Sequence, residues 1–160
     1  MAIEIKYLPR EEGLIRRVAA WMFTEFGPHN PEATSEGTLA LVRERVESRR
    51  VPLCLVAFRE GAPVGTASIF WDDMRTHPEL QPWLGDLVVP PEHRRQGIGT
   101  ALFQRAEEEF QRLHVKTGYL FTWDHEPLYL RLGWQTIKQE RYRNDLVSIM
   151  KRDFDLKPPR

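Results

Sequence analysis

An apolar segment, a basic loop with two glycines and a helix pattern follow one another without a break over residues 87–113. The helix pattern is clear because apolar side chains recur at every third or fourth position, namely Ile98, Leu102, Ala106, Phe110 and Leu113. The spacing predicts a strand that ends in the loop and an amphipathic helix that begins directly after it. The first turn of that helix therefore opens onto the loop.

The loop has the features of an anion-binding site. A helix N-terminus has unpaired amide N–H groups and a partial positive charge, so it attracts phosphate oxygens. Arg94 and Arg95 add full positive charges, while Gly97 and Gly99 let a phosphate approach the backbone, at some cost in helix propensity. A dinucleotide fingerprint is excluded by Leu102, and the Gly-Lys-Ser/Thr of a P-loop is absent. On these residues alone, glycines that merely shape a strand-to-helix junction stay an alternative.

The pattern Arg94-x-x-Gly97-x-Gly99 resembles the acetyl-CoA pyrophosphate loop of the GNAT superfamily of N-acetyltransferases. A second segment supports the resemblance. Residues 127–134 resemble the aromatic-x-x-x-Gly-aromatic segment that closes the acetyl-CoA site in that family, in the right order and at about the right separation. Residues 63–84 also resemble a bacterial subgroup of the superfamily.

The resemblance implies an α/β fold of the GNAT acyl-CoA N-acyltransferase type, with a mixed, mostly antiparallel sheet flanked by helices on both faces. It also implies acetyl-CoA as a cosubstrate, with loop amides on the pyrophosphate and the preceding strand beside the pantetheine arm. A Val89 amide would polarise the thioester carbonyl. The implied cofactor-binding residues are Leu87, Val88, Val89, Arg94, Arg95, Gln96, Gly97, Ile98, Gly99 and Thr100.

Two residues are candidates for the chemistry. Tyr129, four residues before Gly133, matches the family's catalytic tyrosine, and a phenol with a pKa near ~10 stays protonated at neutral pH and can donate to a thiolate. Asp86 lies just before Leu87, where many relatives have a carboxylate that deprotonates the amine through water. The alternatives are that Tyr129 packs a helix edge and that Asp86 caps a loop or pairs with an arginine.

The acceptor site is the least clearly indicated. Trp71, Asp72 and Asp73 stand at the head of a long polar segment, and Glu25 lies in the first helix pattern. Carboxylates and aromatic faces together could frame a cation. The resemblance implies that the first two helices shape the acceptor site. Alternatively the tryptophans belong to the core, which is the interpretation we favour for Trp21.

The length of 160 residues and the absence of an internal repeat or linker predict a single domain over residues 1–160, with a flexible tail at about 155–160. The predicted strands cover 3–7, 52–58, 64–71, 83–89, 117–122, 133–140 and 145–151, and the predicted helices cover 11–26, 32–48, 98–113 and 126–131. The segment 72–82 is the longest without periodicity, and such a loop in a compact domain is usually functional or disordered.

Composition argues against several other classes of protein. The 23 basic and 23 acidic side chains cancel, so nothing favours nucleic acid or an anionic membrane as a partner. Cys54, the single cysteine, has no disulfide partner within the chain, and the five histidines lack metal-ligand spacing. No secretion signal and no apolar stretch of ~20 residues is evident. We expect a cytoplasmic protein without a metal, acting as a monomer or homodimer.

Three functions remain for comparison with the structure. The leading hypothesis is transfer of the acetyl group of acetyl-CoA to a primary amine of a small molecule or peptide, by direct attack in a ternary complex. A second is a non-catalytic acyl-CoA sensor, against which Tyr129 argues because a pure binder needs no acid at the thiolate. A third is an acyltransferase that uses a longer acyl-CoA or a hydroxyl acceptor.

Overall fold

Seven strands and four helices form the computed structural model, which describes residues 2–156. Residues 157–160, and with them most of the predicted flexible tail, lie outside the described residues. The elements in chain order are β1 (Ile3–Tyr7), α1 (Glu12–Phe26), α2 (Ser35–Arg43), β2 (Leu53–Arg59), β3 (Ala62–Phe70), β4 (Trp83–Val88), α3 (Ile98–Arg112), β5 (Thr117–Thr122), α4 (Glu126–Arg131), β6 (Gln135–Tyr142) and β7 (Asp145–Asp153).

The strands form one sheet in the order β1-β2-β3-β4-β5-β7-β6. All neighbouring strands are antiparallel except β4 and β5, which are parallel. The predicted α/β class with a mixed, mostly antiparallel sheet is therefore confirmed. Within residues 2–156 no helix is long and apolar enough to span a bilayer.

Helices cover both faces of the sheet, as the alternation along β2 shows. Leu53 and Leu55 pack with the buried face of α3 in one apolar core. Cys54 and Val56 point the other way and pack with α1 and α2 in a second core. Because β2 is buried on both faces, its sequence is an almost continuous apolar run rather than an alternating one.

The sheet opens between β4 and β5. The two strands pair only at Trp83 and Tyr119, so the rest of that edge of β4 has no ladder partner in the part of the chain that the structure describes. On its other edge β4 pairs with β3 through a shift in register, and Asp86 within this bulge has φ +53. A bulge bends its strand and increases its twist. The carboxyl ends of β4 and β5 therefore diverge, and α3 begins beside the gap.

The second helix is shorter than the predicted range 32–48. It begins at Ser35 because the Thr34 hydroxyl caps it, accepting a hydrogen bond from the Gly37 amide at 3.0 Å. After Arg43 the chain turns, and Glu47, with φ +52, donates its amide to the Leu8 carbonyl at 2.8 Å. The turn ends the helix and leaves Arg45 buried beneath it.

β6 begins two residues later than predicted. The Trp134 amide donates to the Tyr129 carbonyl at 3.0 Å, closing the end of α4. Gly133 has φ +97, a conformation that side-chain-bearing residues rarely adopt. The residues up to Trp134 therefore belong to the turn that ends α4, and the strand starts at Gln135.

We expect Gly118→Ala to destabilise the protein. A Cβ on Gly118 would lie 2.9 Å from Cε2 of Phe110, which is fully buried in the core between α3 and the sheet. Overpacking of this kind costs about 1–3 kcal/mol of unfolding free energy, to be measured by urea denaturation. Gly13→Ala in α1 is the control, because its Cβ meets no atom within 4 Å. Equal midpoints for the two variants would contradict this packing.

Candidate active site

A cleft of about 610 Å³ lies where β4 and β5 separate. Its walls come from β4, the loop after β4, the start of α3, the end of β5 and α4. Tyr129 and Asp86 both line it. So do most of the residues predicted to bind the cofactor: Leu87, Val89, Arg94, Arg95, Gly97, Ile98, Gly99 and Thr100. Of the other two, Val88 packs into the core beneath α1, and Gln96 is exposed outside the cleft lining.

The start of α3 presents unpaired amide groups to the cleft. Gly97 is the N-cap residue with φ +79, and its carbonyl accepts the Ala101 amide at 3.0 Å. The amides of residues 98–100 precede this first helical hydrogen bond, and they have no acceptor among residues 2–156. Three N–H groups at a helix N-terminus are a suitable site for a phosphate.

Arg94 braces this loop. Its Nε donates to the Val89 carbonyl at 2.8 Å, and its Nη2 lies 3.5 Å from Oε2 of Glu25 on α1. The Arg94–Glu25 pair is exposed, so it contributes little to stability. Arg95, with φ +62, is exposed and lines the cleft. Glu25 therefore lies at the loop and not with the other predicted acceptor residues.

Tyr129 is buried in the wall of the cleft. Its ring stacks on Phe103 of α3 with centroids 5.0 Å apart. The α4 turn that carries it is fixed at its start by the Thr122 hydroxyl, which accepts the His125 amide at 3.0 Å. Burial, and then the negative charge of Asp124, raise the pKa of Tyr129 to about 12. With this pKa the hydroxyl is protonated at neutral pH. It has no hydrogen-bond partner within residues 2–156, so it is free to donate.

Asp86 is held by an arginine. Its Oδ2 accepts a hydrogen bond from Nη1 of Arg45 at 2.7 Å, and the Arg45 side chain is only 5% exposed. The Arg45 guanidinium also lies over the Phe70 ring, 4.9 Å from its centroid. Removing one partner of a buried ion pair leaves an uncompensated charge, which is strongly unfavourable. The pair therefore fixes the bulge of β4 at the cleft.

A second cavity of about 590 Å³ adjoins the cleft. It is lined by the end of α1, by α2 and Arg45, and by the head of the loop after β3. Three of the residues predicted to bind the acceptor line this cavity together, namely Trp71, Asp72 and Asp73. The residues that line both cavities are Phe26, Gly85, Asp86, Phe121 and Trp123. A molecule in the second cavity is therefore separated from the cleft by the residues that line both cavities.

The predicted acceptor residues differ in their surroundings. Trp71 is 47% exposed at the rim, and Trp21 is partly buried against the core of α1 and α2. Asp72 accepts a hydrogen bond from Nε2 of Gln81 at 2.8 Å. Asp73 is partly buried, and its burial together with the charge of Asp86 raises its pKa well above the usual range.

Sequence reasoning missed three residues of these cavities. Arg45 lies inside a charged stretch that periodicity assigned to a helix, and no local pattern marks it as buried. His29 and Trp123 stack with centroids 3.9 Å apart, and Nδ1 of His29 lies 2.9 Å from Oδ2 of Asp145. These contacts join the segment after α1 to the end of β5 and to the start of β7, so only the tertiary structure reveals them. The one signal available in the sequence was Trp123, an aromatic residue directly after the strand predicted over 117–122.

A model of the acetyltransferase (GNAT) family matches residues 15–134, which is most of the chain. The chain therefore belongs to the GNAT family of acetyltransferases. This confirms the family that the loop and the Tyr129 segment indicated. No curated protein matches the chain in sequence.

Solved structures show the same fold over nearly the whole chain. An aminoglycoside 6'-N-acetyltransferase in complex with coenzyme A has a TM-score of 0.73 at 16% identity, covering 98% of this chain and 99% of that one. The aminoglycoside 6'-N-acetyltransferase from Enterococcus faecium has a TM-score of 0.72 at 17% identity, covering 98% and 99%. The yncA protein from Salmonella typhimurium, with its cofactor acetyl-CoA, has a TM-score of 0.72 at 16% identity, covering 100% and 98%.

We predict that Gly97→Ala weakens coenzyme A binding. A Cβ at this position meets no atom within 4 Å, so the effect comes from the φ of +79 alone. A left-handed conformation costs a side-chain-bearing residue about 1–2 kcal/mol, which corresponds to about 5–30-fold in affinity if the loop relaxes away from it. Titration calorimetry with coenzyme A measures the change.

Gly61→Ala is the matched control for this prediction. Gly61 has φ +80 and equally open surroundings, but it lies in the turn between β2 and β3, away from the cleft. It should bind coenzyme A as the unaltered protein does. Equal affinities for the Gly97 and Gly61 variants would show that the loop conformation is not used for binding.

Proposed function

We propose that this GNAT protein transfers the acetyl group of acetyl-CoA to a primary amine of a small molecule or peptide, by direct attack in a ternary complex. The observation that carries the proposal is the Tyr129 hydroxyl, which is protonated, without a partner in the described residues and exposed to the cleft beside the α3 N-terminus. A binding module would have no use for a proton donor there. The cytoplasmic location inferred from the sequence belongs to this proposal.

The cleft fits coenzyme A through its backbone. The three unpaired amides of residues 98–100 and the charge of Arg95 would hold the pyrophosphate. Within residues 2–156 the edge of β4 around Leu87 has no ladder partner beyond Trp83, so it can accept the pantetheine arm as an added strand. A Val89 amide at the end of this edge would polarise the thioester carbonyl.

The proposed reaction needs a neutral amine, an oriented thioester and a proton for sulfur. The amine nitrogen attacks the carbonyl carbon, a C–N bond forms, and the C–S bond then breaks. Tyr129 gives its hydroxyl proton to the departing sulfur. The attacking nitrogen loses one of its two protons, which restores the phenol through solvent, and keeps the other in the product amide. Holding both reactants together lowers the activation barrier by several kcal/mol, on the order of 7–11 kcal/mol in well-oriented cases.

The second cavity is the proposed acceptor site. Its volume of about 590 Å³ is in the range of small-molecule sites. Asp72, Asp73 and Glu44 line it together with the aromatic rim at Trp71, an arrangement that suits a cationic amine. The aminoglycoside acetyltransferases of the same fold support a small-molecule acceptor. Arg143 and Arg75 also line the cavity, so an acceptor with a negative group is accommodated as well.

We expect Tyr129→Phe to lower kcat by on the order of 10² or more, because the thiolate loses its proton donor. Affinity for coenzyme A should stay the same, since the ring still stacks on Phe103. Thiol release from acetyl-CoA with an amine acceptor measures the first quantity, and titration calorimetry measures the second.

Tyr119→Phe is the control for this prediction, because Tyr119 packs against Trp83 outside both cavities. It should retain full turnover. Undiminished turnover in Tyr129→Phe would remove the tyrosine from the mechanism. A parallel loss of coenzyme A affinity would indicate a packing role instead.

A further inference from the structure

We propose that Asp73 is the general base of the reaction: its carboxylate takes a proton from the acceptor ammonium at the wall between the two cavities. The assignment rests on the proposed function and supplies the base that it requires. It gives Asp86, the base suggested by the sequence, a different task, which is to set the charge beside Asp73.

Asp73 lies where the acceptor must meet the thioester. It follows β3 at the head of the loop and lines the second cavity. A Cβ placed on Gly85 would lie 3.3 Å from Oδ2 of Asp73. Gly85 lines both cavities, so the Asp73 carboxylate stands against their shared wall. A base must be within hydrogen-bond reach of the proton that it takes, and an amine that extends from the second cavity toward the cleft passes this wall.

Asp73 differs from the neighbouring aspartates in the hydrogen bonds of its carboxylate. Within residues 2–156 it forms no ion pair and no hydrogen bond through its side chain. Asp86 instead accepts from Arg45 at 2.7 Å, and Asp72 accepts from Gln81 at 2.8 Å. Asp72 and Asp86 each have one carboxylate oxygen in a hydrogen bond, whereas both oxygens of Asp73 are without a partner in the described residues and available to an ammonium.

Burial and the neighbouring charges together raise the pKa of Asp73, which makes its carboxylate a stronger base. Burial, and then Asp86 on β4, raise its pKa well above the usual range, while Arg143 in the turn between β6 and β7 and Arg45 after α2 oppose the shift. Glu44, Asp72 and Arg75 also line this cavity. A carboxylate whose pKa moves toward neutrality accepts a proton more readily than an ordinary aspartate does.

Arg45 provides a separate sign that a ligand enters here. Its side chain is 5% exposed and lines the second cavity, and its Nε atom has no hydrogen-bond partner in the described chain. A buried N–H group without a partner is unfavourable, so a polar group of the acceptor or an ordered water is expected beside it. Arg45 and Asp73 line the same cavity.

The proton balance is complete without a further reactant. The acceptor R–NH₃⁺ gives one proton to the Asp73 carboxylate and becomes R–NH₂, whose lone pair attacks the thioester carbon. Tyr129 protonates the sulfur as the C–S bond breaks, and the second amine proton replaces the one that Tyr129 gave. Asp73 then releases its proton to solvent when the products leave.

The first test measures Asp73 itself by NMR titration of ¹³C-labelled aspartate carboxyls in the full-length protein. One carboxyl should titrate well above the ordinary aspartate range and should vanish in Asp73→Asn. Its midpoint should move downward in Asp86→Asn, because a neighbouring negative charge is removed. Asp155→Asn, at an exposed position outside both cavities, should leave it in place. An Asp73 carboxyl titrating in the ordinary range would overturn the assignment.

The second test compares pH–rate profiles. In the unaltered protein kcat/KM should rise with pH through the Asp73 pKa, because the base must be unprotonated. Asp73→Asn should lose this inflection and on the order of 10² or more in rate. The loss should shrink with a weakly basic acceptor amine that is already neutral at the assay pH. A disrupted fold would lower the rate for both kinds of amine alike, and Asp155→Asn should match the unaltered protein.

The outcomes separate the two claims. Turnover on an amine with an unchanged profile in Asp73→Asn would overturn the role of Asp73 and leave the proposed function standing. Absence of turnover on every amine of a polyamine, aminoglycoside, amino acid and peptide panel would overturn the proposed function, and the role of Asp73 with it. An inflection lost in Asp86→Asn but retained in Asp73→Asn would return the base to Asp86.

Discussion

The ion pair between Arg45 and Asp86 is the interaction on which the site depends. It ties the turn after α2 to the bulge of β4, at the position where that strand departs from its neighbour. The bulge and the single pairing of Trp83 with Tyr119 open the sheet, and the opening exposes the edge of β4 to the cleft. Without the buried guanidinium, which lies over the Phe70 ring, the Asp86 carboxylate would lose the positive charge that compensates it. The same pair forms part of the boundary between the two cavities.

The division of work between the cavities follows from their chemistry. The cleft offers backbone amides and one buried phenol, which suit an anionic, elongated molecule with a sulfur leaving group. The second cavity offers carboxylates, arginines and an aromatic rim, which suit a polar amine. Neither set of groups could perform an acetyl transfer alone, so the shared wall at Gly85 and Asp86 is central to the proposed activity.

Much of the fold and of the cleft was predictable because the signals are local. A helix stripe at α3, a glycine at a left-handed position and a tyrosine four residues before Gly133 are each contained in a short segment. The second cavity was predictable only in part. The segment Trp71-Asp72-Asp73 at the start of the long loop is visible in the sequence. The burial of Arg45 and the stacking of His29 on Trp123 depend on residues far apart in the chain. The helix predicted over 32–48 failed for the same reason, since the Glu47 amide pairs with Leu8 rather than within a helix.

The most direct test of the account is to incubate the protein with ¹³C-acetyl-CoA and the amine panel and to analyse both amine and protein by mass spectrometry. The account predicts a labelled N-acetyl amine in proportion to the thiol released, and no acetyl group on the protein, because the amine attacks the thioester directly. A labelled acetyl group on the protein would contradict the ternary-complex mechanism. Coenzyme A binding without any acetylated amine would contradict the proposed activity and favour the sensor hypothesis.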